Sequence, residues 1–477
     1  MEDLLFKKSL CPSDFSLYKR ETKFIYRFML KFTKLFLLFM ICYHILVTVL
    51  CYGVFGGHYQ ETFSLLRDGI WIGFMAFAVV RYRKHLKGFL TTWRYPLISF
   101  CVLLLFWIGI SRLIGKSRYD IFVGIKYGLW YLWILFSAWF VGYILALWKQ
   151  EVSMETFLRF FIWACIVVVV VGFVRQGAKI FFPDLFTWMG YGPLNDFSFG
   201  VKPPLYYLTG YEGTLRRQGI FAGPNNYGYF LVAFLPIVIL MANGKRQTAN
   251  VSRYPLSIFR SSRLRIWIPI VRTAAIFMTL SRSALVGTMV VVVFLFRSWI
   301  KKHRKLSVWV LVLCLLWLVG LSVLKDTSTL AHIAKKFSSL SYVINQPLGY
   351  GLGSSGPAIH HGAWILPENY FIQLMIDIGT VWFLIRIFCV SQVGGLVRAI
   401  RTNSWTKTTN SKGIIYSVRK WLTIGWITLL VMGMFLHVFE DSMVNYIFFI
   451  LRGITTGYLS FGLKAGSLGI WDFWRKR

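Results

Sequence analysis

Carboxylates are scarce in this chain. Its 477 residues carry 18 Asp and Glu against 53 Lys and Arg, a formal net charge of +35. Charged residues of both signs make up only 15%, while hydrophobic residues make up 57%. A soluble domain of this size cannot hide so much apolar surface, so lipid is the expected solvent for much of it. Cysteines number seven, none at metal-ligand spacing. Cys42, Cys51, Cys101, Cys165, Cys314 and Cys389 lie in or at the ends of apolar segments, and Cys11 in the basic N-terminal tail, which points to packing. There is no internal repeat, no Pro/Ser linker, no soluble catalytic domain and no Asp-x-Asp motif for a metal–nucleotide donor. The chain reads as one membrane domain, 1–477.

What is present is a set of long apolar runs, rich in Phe (43) and Trp (20). Spanning segments are predicted near 35–55, 64–80, 96–114, 120–148, 157–175, 225–242, 266–281, 283–299, 307–324, 368–390, 421–440 and 443–463, about twelve in all. Most Lys and Arg fall in every second gap: the N-terminal tail, Arg81 to Lys87, Lys245 to Arg265, Lys301 to Lys305, Arg398 to Lys420 and Arg475 to Arg477. That alternation predicts an all-α polytopic protein of the cytoplasmic (inner) membrane, multi-pass, with both termini cytoplasmic. It also removes the nucleic-acid reading, because orientation and anionic headgroups account for cations in short loops beside spans. No small-residue cleavage site closes the first span, so an uncleaved first helix is expected.

The sidedness leaves two long extracytoplasmic loops, 176–224 and 325–367. In the first, Ile180 to Met189 has the aromatic, amphipathic character of a segment lying on the membrane surface. The loop ends in Thr214-Leu-Arg-Arg-Gln-Gly-Ile-Phe-Ala-Gly-Pro-Asn-Asn226. Arg216 and Arg217 are adjacent cations on the side where positive charge is normally depleted. A guanidinium offers a planar fork suited to phosphate or carboxylate and keeps its charge when desolvated, although headgroup contact is the plainer reading. Pro224 followed by Asn225 and Asn226 fits a helix start with Asn side chains available as caps. The turn Thr279 to Leu285 sets Arg282 at the outer face between apolar helices, as a snorkelling anchor or a site residue. Arg272, half a span deeper, is expected to pair within the bundle, with Asp377 as its candidate partner.

The second loop ends in Asn345-Gln-Pro-Leu-Gly-Tyr-Gly-Leu-Gly-Ser-Ser-Gly356, followed by His360-His361 and Pro367-Glu-Asn-Tyr370. The glycines imitate a nucleotide fingerprint, but no strand precedes them and the loop faces away from cytoplasmic nucleotides. They suit either close approach of backbone to a ligand or a flexible loop. His360 and His361 are candidates for a base or an anion contact. Glu368, just after Pro367, suits a first-turn carboxylate favoured by the helix dipole or a general base at the membrane surface.

Arg217 to Asn225, Ser281-Arg-Ser-Ala284 and Pro347 to Gly353 followed by Glu368-Asn-Tyr-Phe-Ile-Gln373 together resemble the O-antigen ligase/polymerase superfamily, membrane glycosyltransferases that use polyprenyl-pyrophosphate-linked glycans. The resemblance covers the C-terminal two-thirds, with the three motifs in the family's order; the first five spans match in hydropathy alone. The ligases carry a catalytic His directly before the Asn of the third motif. Here that position is Glu368, which is closer to the polymerase branch.

The resemblance implies a metal-independent glycosyltransferase with no cofactor. Its partners would be a polyprenyl-pyrophosphate-linked glycan donor, a glycan or lipid acceptor, membrane lipids and other polysaccharide-assembly proteins. Such a transfer needs cations for the pyrophosphate charge and a base for the attacking hydroxyl. Arg216, Arg217 and Arg282 suit the first role; Glu368 or His361 suits the second; Asn225, His360 and Asn369 are candidate substrate contacts. The alternatives are a ligase moving finished glycan to an acceptor, and a lipid-linked oligosaccharide flippase. The ionisable residues Lys126, Arg272, Asp377, Arg386 and Arg452 inside spans favour the flippase.

Overall fold

Apolar runs free of turn residues fold here as helices, which account for 82% of the described residues. The computed structural model describes residues 12–56, 59–82, 101–102, 104–126, 130–147, 154–192, 203–209, 214–243, 262–303, 312, 316, 326–356, 365, 367, 369–380, 411–435 and 442–463. The elements are α1 (Pro12–Val47) with a π-helical extension Thr48–Val54, α2 (Gln60–Arg81), α3 (Leu104–Leu113), α4 (Arg118–Gly124), α5 (Trp130–Leu147), α6 (Met154–Phe181) and α7 (Pro183–Trp188). A hairpin β1 (Tyr207–Thr209) and β2 (Thr214–Arg216) follows, antiparallel, with Tyr207 opposite Arg216. Then come α8 (Pro224–Asn243), α9 (Ser262–Met278), α10 (Arg282–Leu295), α11 (Arg297–Lys302), α12 (Asp326–Asn345), α13 (Tyr370–Ile378), α14 (Ser411–Gly433) and α15 (Ser442–Leu463).

Among the described residues, three helices are long and apolar enough to cross a membrane: Arg27–Val54, Thr62–Arg81 and Phe160–Phe181. Shorter apolar helices at Leu104–Leu113, Trp133–Ala146, Pro224–Ile239, Trp267–Met278 and Arg282–Leu295 lie on other expected spans. The span at 307–324 and the basic gaps 83–100, 244–261 and 464–477 lie almost wholly outside the described residues.

Small residues set the tightest seam, between α5 and α15. A Cβ on Gly142 would fall 2.1 Å from the Ile450 carbonyl oxygen, and one on Gly453 would fall 2.0 Å from that of Trp139. Close backbone approach of this kind drives helix association where lipid removes the hydrophobic advantage. Beside the seam, Trp71 of α2 packs 4.7 Å from both Phe36 of α1 and Tyr446 of α15, and donates Nε1–H to Ser137 Oγ of α5 at 2.8 Å. Four helices therefore meet on one indole, its polar edge satisfied.

Both long loops carry helix. The first expected loop, 176–224, begins inside α6, which continues through Lys179 to Phe181 before Pro183 opens the short α7. Phe181, Phe182, Leu185 and Trp188 are exposed there. In the second loop, Asp326 to Asn345 has neither Gly nor Pro and folds as the 20-residue α12. The expected Arg272–Asp377 pair is not formed. Arg272 donates to the carbonyls of Leu231 (2.8 Å) and Phe230 (3.0 Å) of α8. Asp377 Oδ1 instead lies 2.8 Å from the Ser355 hydroxyl.

Candidate functional site

Helices α6, α9 and α14 end, and α8, α10 and α13 begin, at one end of the bundle. The link between α9 and α10 is very short. Thr279 Oγ1 donates back to the Ile276 carbonyl at 2.7 Å and accepts from Ser281 N–H at 3.2 Å. Leu280 takes a left-handed φ of 49°, an unfavourable conformation for a branched residue that surrounding bonds must hold. Arg282 then opens α10 and is half-buried.

The arginine segment of the first loop lies against this turn. Arg217 N–H donates to the Met278 carbonyl at 2.9 Å, and Arg216 Nε–H to the Thr279 carbonyl at 3.1 Å. The other edge of the Arg216 guanidinium donates to Asn225 Oδ1 at 2.9 Å. Asn225 therefore orients an arginine from the first turn of α8, which corrects its expected role as a cap. Arg217 borders a small cavity with Gly172, Phe173, Tyr227 and Ala275. The Tyr227 hydroxyl and Gln218 Nε2 are buried nearby, with no hydrogen-bond partner among the described residues.

Behind the arginines, two cations of α6 hold the loop in place. Arg175 donates from Nη1 to the Gly219 carbonyl at 2.6 Å and from Nη2 to the Tyr191 hydroxyl. One turn further, Lys179 is fully buried, donates to the Leu205 carbonyl at 2.6 Å and lies 4.3 Å from the centroid of the Tyr191 ring. The Tyr206 hydroxyl returns a bond to the Lys179 carbonyl.

The glycine-rich segment of the second loop is neither a flexible tether nor a bare cradle. Gly353, at φ 80°, sits so close to α4 that a Cβ would fall 2.3 Å from the Asp120 carbonyl oxygen. Gly356, at φ 72°, presses on the Gln373 side chain, where a Cβ would come within 2.1 Å. Leu352 N–H also donates to Ser111 Oγ at 2.9 Å. The glycines admit protein backbone and side chain, so the third motif is braced on Ser111 to Gly124.

Asn369 caps α13, accepting from Phe371 N–H at 2.9 Å and Ile372 N–H at 3.2 Å, while its Nδ2 donates to the Met434 carbonyl at 2.9 Å. Its role is thus to fix the start of α13 against the end of α14. Glu368, His360 and His361 lie outside the described residues. The structure therefore gathers Arg216, Arg217, Asn225 and Arg282 around one turn and anchors Asn369 to the end of α14.

Three contributors go unread in the sequence. Arg175 and Lys179 look like the frayed end of a span; their spacing of four, which stacks them on one helix face, was the available signal. Lys336 of α12 stands 4.6 Å from the centroid of the Phe435 ring, beside Met434. The depletion of outward cations that singled out Arg216 and Arg217 applies to it equally. No family model, curated protein or solved structure matches this chain.

Proposed function

We propose that the protein is a multi-pass glycosyltransferase of the cytoplasmic membrane that polymerises polyprenyl-pyrophosphate-linked oligosaccharide repeat units at the outer face. About twelve spans with both termini cytoplasmic go with this reading. One observation carries it: the two motifs that bear outward arginines are bonded to each other through the Met278 and Thr279 carbonyls. Arg217 and Arg282 thereby flank a single turn at the helix ends, where charge on a departing pyrophosphate needs preorganised cations.

In the transfer, an acceptor sugar hydroxyl attacks the anomeric carbon of the donor. The new C–O bond forms as the bond to pyrophosphate breaks, and the electron pair leaves on the phosphate oxygen. The hydroxyl proton passes to a base, Glu368 or His361. Arg217 and Arg282 stabilise the leaving charge; Arg216, held by Asn225 and Thr279, sets the geometry of the segment. A single displacement inverts the anomeric centre.

The ligase alternative rests on the same motifs and is set apart by the glycan of a deletion strain. Single repeat units capped on the acceptor are expected. Long chains left on the lipid carrier would identify a ligase, and an unchanged glycan profile would contradict both readings.

A further inference from the structure

Away from the arginine turn, Arg452 lies inside the apolar run 443–463 of α15 and takes no part in the proposed chemistry. Its guanidinium carbon stands 5.0 Å from the centroid of the Trp139 ring of α5 and 5.7 Å from that of Trp426 of α14. One turn earlier, Phe449 is buried between the same two indoles, its ring 6.2 Å from Trp139 and 5.2 Å from Trp426. Trp139, Trp426 and Arg452 are themselves half-buried. They form a groove that opens on the surface of the bundle, with α15 as its floor and α5 and α14 as its walls.

The two indole faces attract the charge but accept none of the five N–H bonds of a guanidinium as a carboxylate or carbonyl would. Arg452 Nη1 is sealed in without a hydrogen-bond partner, and the side chain has no hydrogen bond or ion pair among the described residues. An arginine among apolar helices is costly unless something pairs with it. Because the residue as a whole is half-buried, the rest of its fork is the part that reaches the groove.

A second cation lies along the same wall. Arg419 is seven residues before Trp426 on α14, hence on the same face and about 10 Å nearer the start of that helix. It stands where the apolar run of α14 meets the basic gap that ends at Lys420, which on the proposed topology is the cytoplasmic side.

We infer that this groove is a binding site for the phosphate of an anionic phospholipid, held between Arg452 and Arg419. A pair of phosphate oxygens matches the planar fork that Arg452 presents. A groove on the surface of apolar helices is filled from the bilayer, which selects a lipid over a free phosphate. The residues that form it include two cations and no carboxylate, so the ammonium of a zwitterionic headgroup finds no partner among them. The site does not depend on the glycosyl-transfer reading; it requires only that these apolar helices lie in a membrane.

The test uses the full chain purified in dodecyl maltoside, with phosphatidylglycerol as the probe and bound lipid counted by native mass spectrometry. The wild type is expected to bind phosphatidylglycerol about tenfold or more tightly than phosphatidylcholine; equal affinities overturn the inference. Arg452→Gln is expected to weaken phosphatidylglycerol binding about tenfold, the loss of one charge-assisted contact. Lys335→Gln, at an exposed position of α12, leaves it unchanged. Wild-type affinity in a folded Arg452→Gln protein overturns the inference. If Arg452→Gln does not fold, Arg419→Gln at the rim decides: a several-fold loss of affinity supports the site, and unchanged affinity overturns it. Inorganic phosphate in large excess is expected to leave the lipid bound, and displacement would assign the groove to a soluble anion instead.

Discussion

Two groups of cations a few residues apart in space are treated in opposite ways. At the end of α6, Arg175 and Lys179 are buried, directed at the carbonyls of Gly219 and Leu205 and covered by the Tyr191 ring. At the α9–α10 turn, Arg217 and Arg282 are half-buried, and Arg217 borders a small cavity. The first group shows the cost of desolvating a charge met by carbonyl dipoles and ring faces. On the proposed function, the second keeps its charge for an anionic substrate. On that reading, depth of burial separates the two groups: the more deeply buried cations hold the loop, and the shallower ones are the proposed site residues.

The contrast can be broken most sharply in activity. Replacing Arg217 or Arg282 by Gln is expected to cut polymer formation about 10²–10³-fold, the usual cost of one donor aimed at developing charge. The melting temperature should barely move. A matching loss of stability would make both arginines structural pins and erase the distinction. Membrane-fraction transfer assays beside thermal unfolding of the purified protein measure both quantities.

Next in size is the interior seam. Gly453→Val forces a side chain onto the Trp139 carbonyl, and about 3 kcal/mol of destabilisation is expected, read as loss of the monodisperse peak after mild heating. Arg175→Ala strips the Gly219 carbonyl of its partner and should cost about 2–3 kcal/mol, the range for hydrogen bonds to charged groups. Its activity should fall in proportion to folded protein, unlike that of Arg217→Gln. The smallest expected effect is that of Asn369→Ala, about 1 kcal/mol for a lost cap. It is detectable as faster hydrogen exchange at Phe371 and Ile372.

Apolar helices were the most legible part of the sequence, because an apolar run is itself the physical requirement for crossing lipid. Its edges were not. Arg175 and Lys179 end the apolar run of α6, yet the helix continues, and Tyr191, Leu205 and Gly219, distant in sequence, accept their hydrogen bonds. Helix α12 was hidden by its polarity, since a hydropathy window averages an amphipathic surface helix to nothing distinctive. The arginine motifs were legible as anomalies of sidedness, but their stitching to Met278 and Thr279 was not. Glycines 353 and 356 announced close approach without naming the neighbour, which proved to be the protein's own backbone and side chains. Arg272 illustrates the same gap: a carboxylate is the natural partner by charge, and two backbone carbonyls of α8 take its place.

The central claim is that outward arginines at one turn stabilise a departing pyrophosphate. Its most direct test is the glycan made by a deletion strain that carries Arg282→Gln at the wild-type protein level. Single repeat units with no ladder of longer chains are the expected result. A chain-length ladder indistinguishable from that of the wild type would contradict the account.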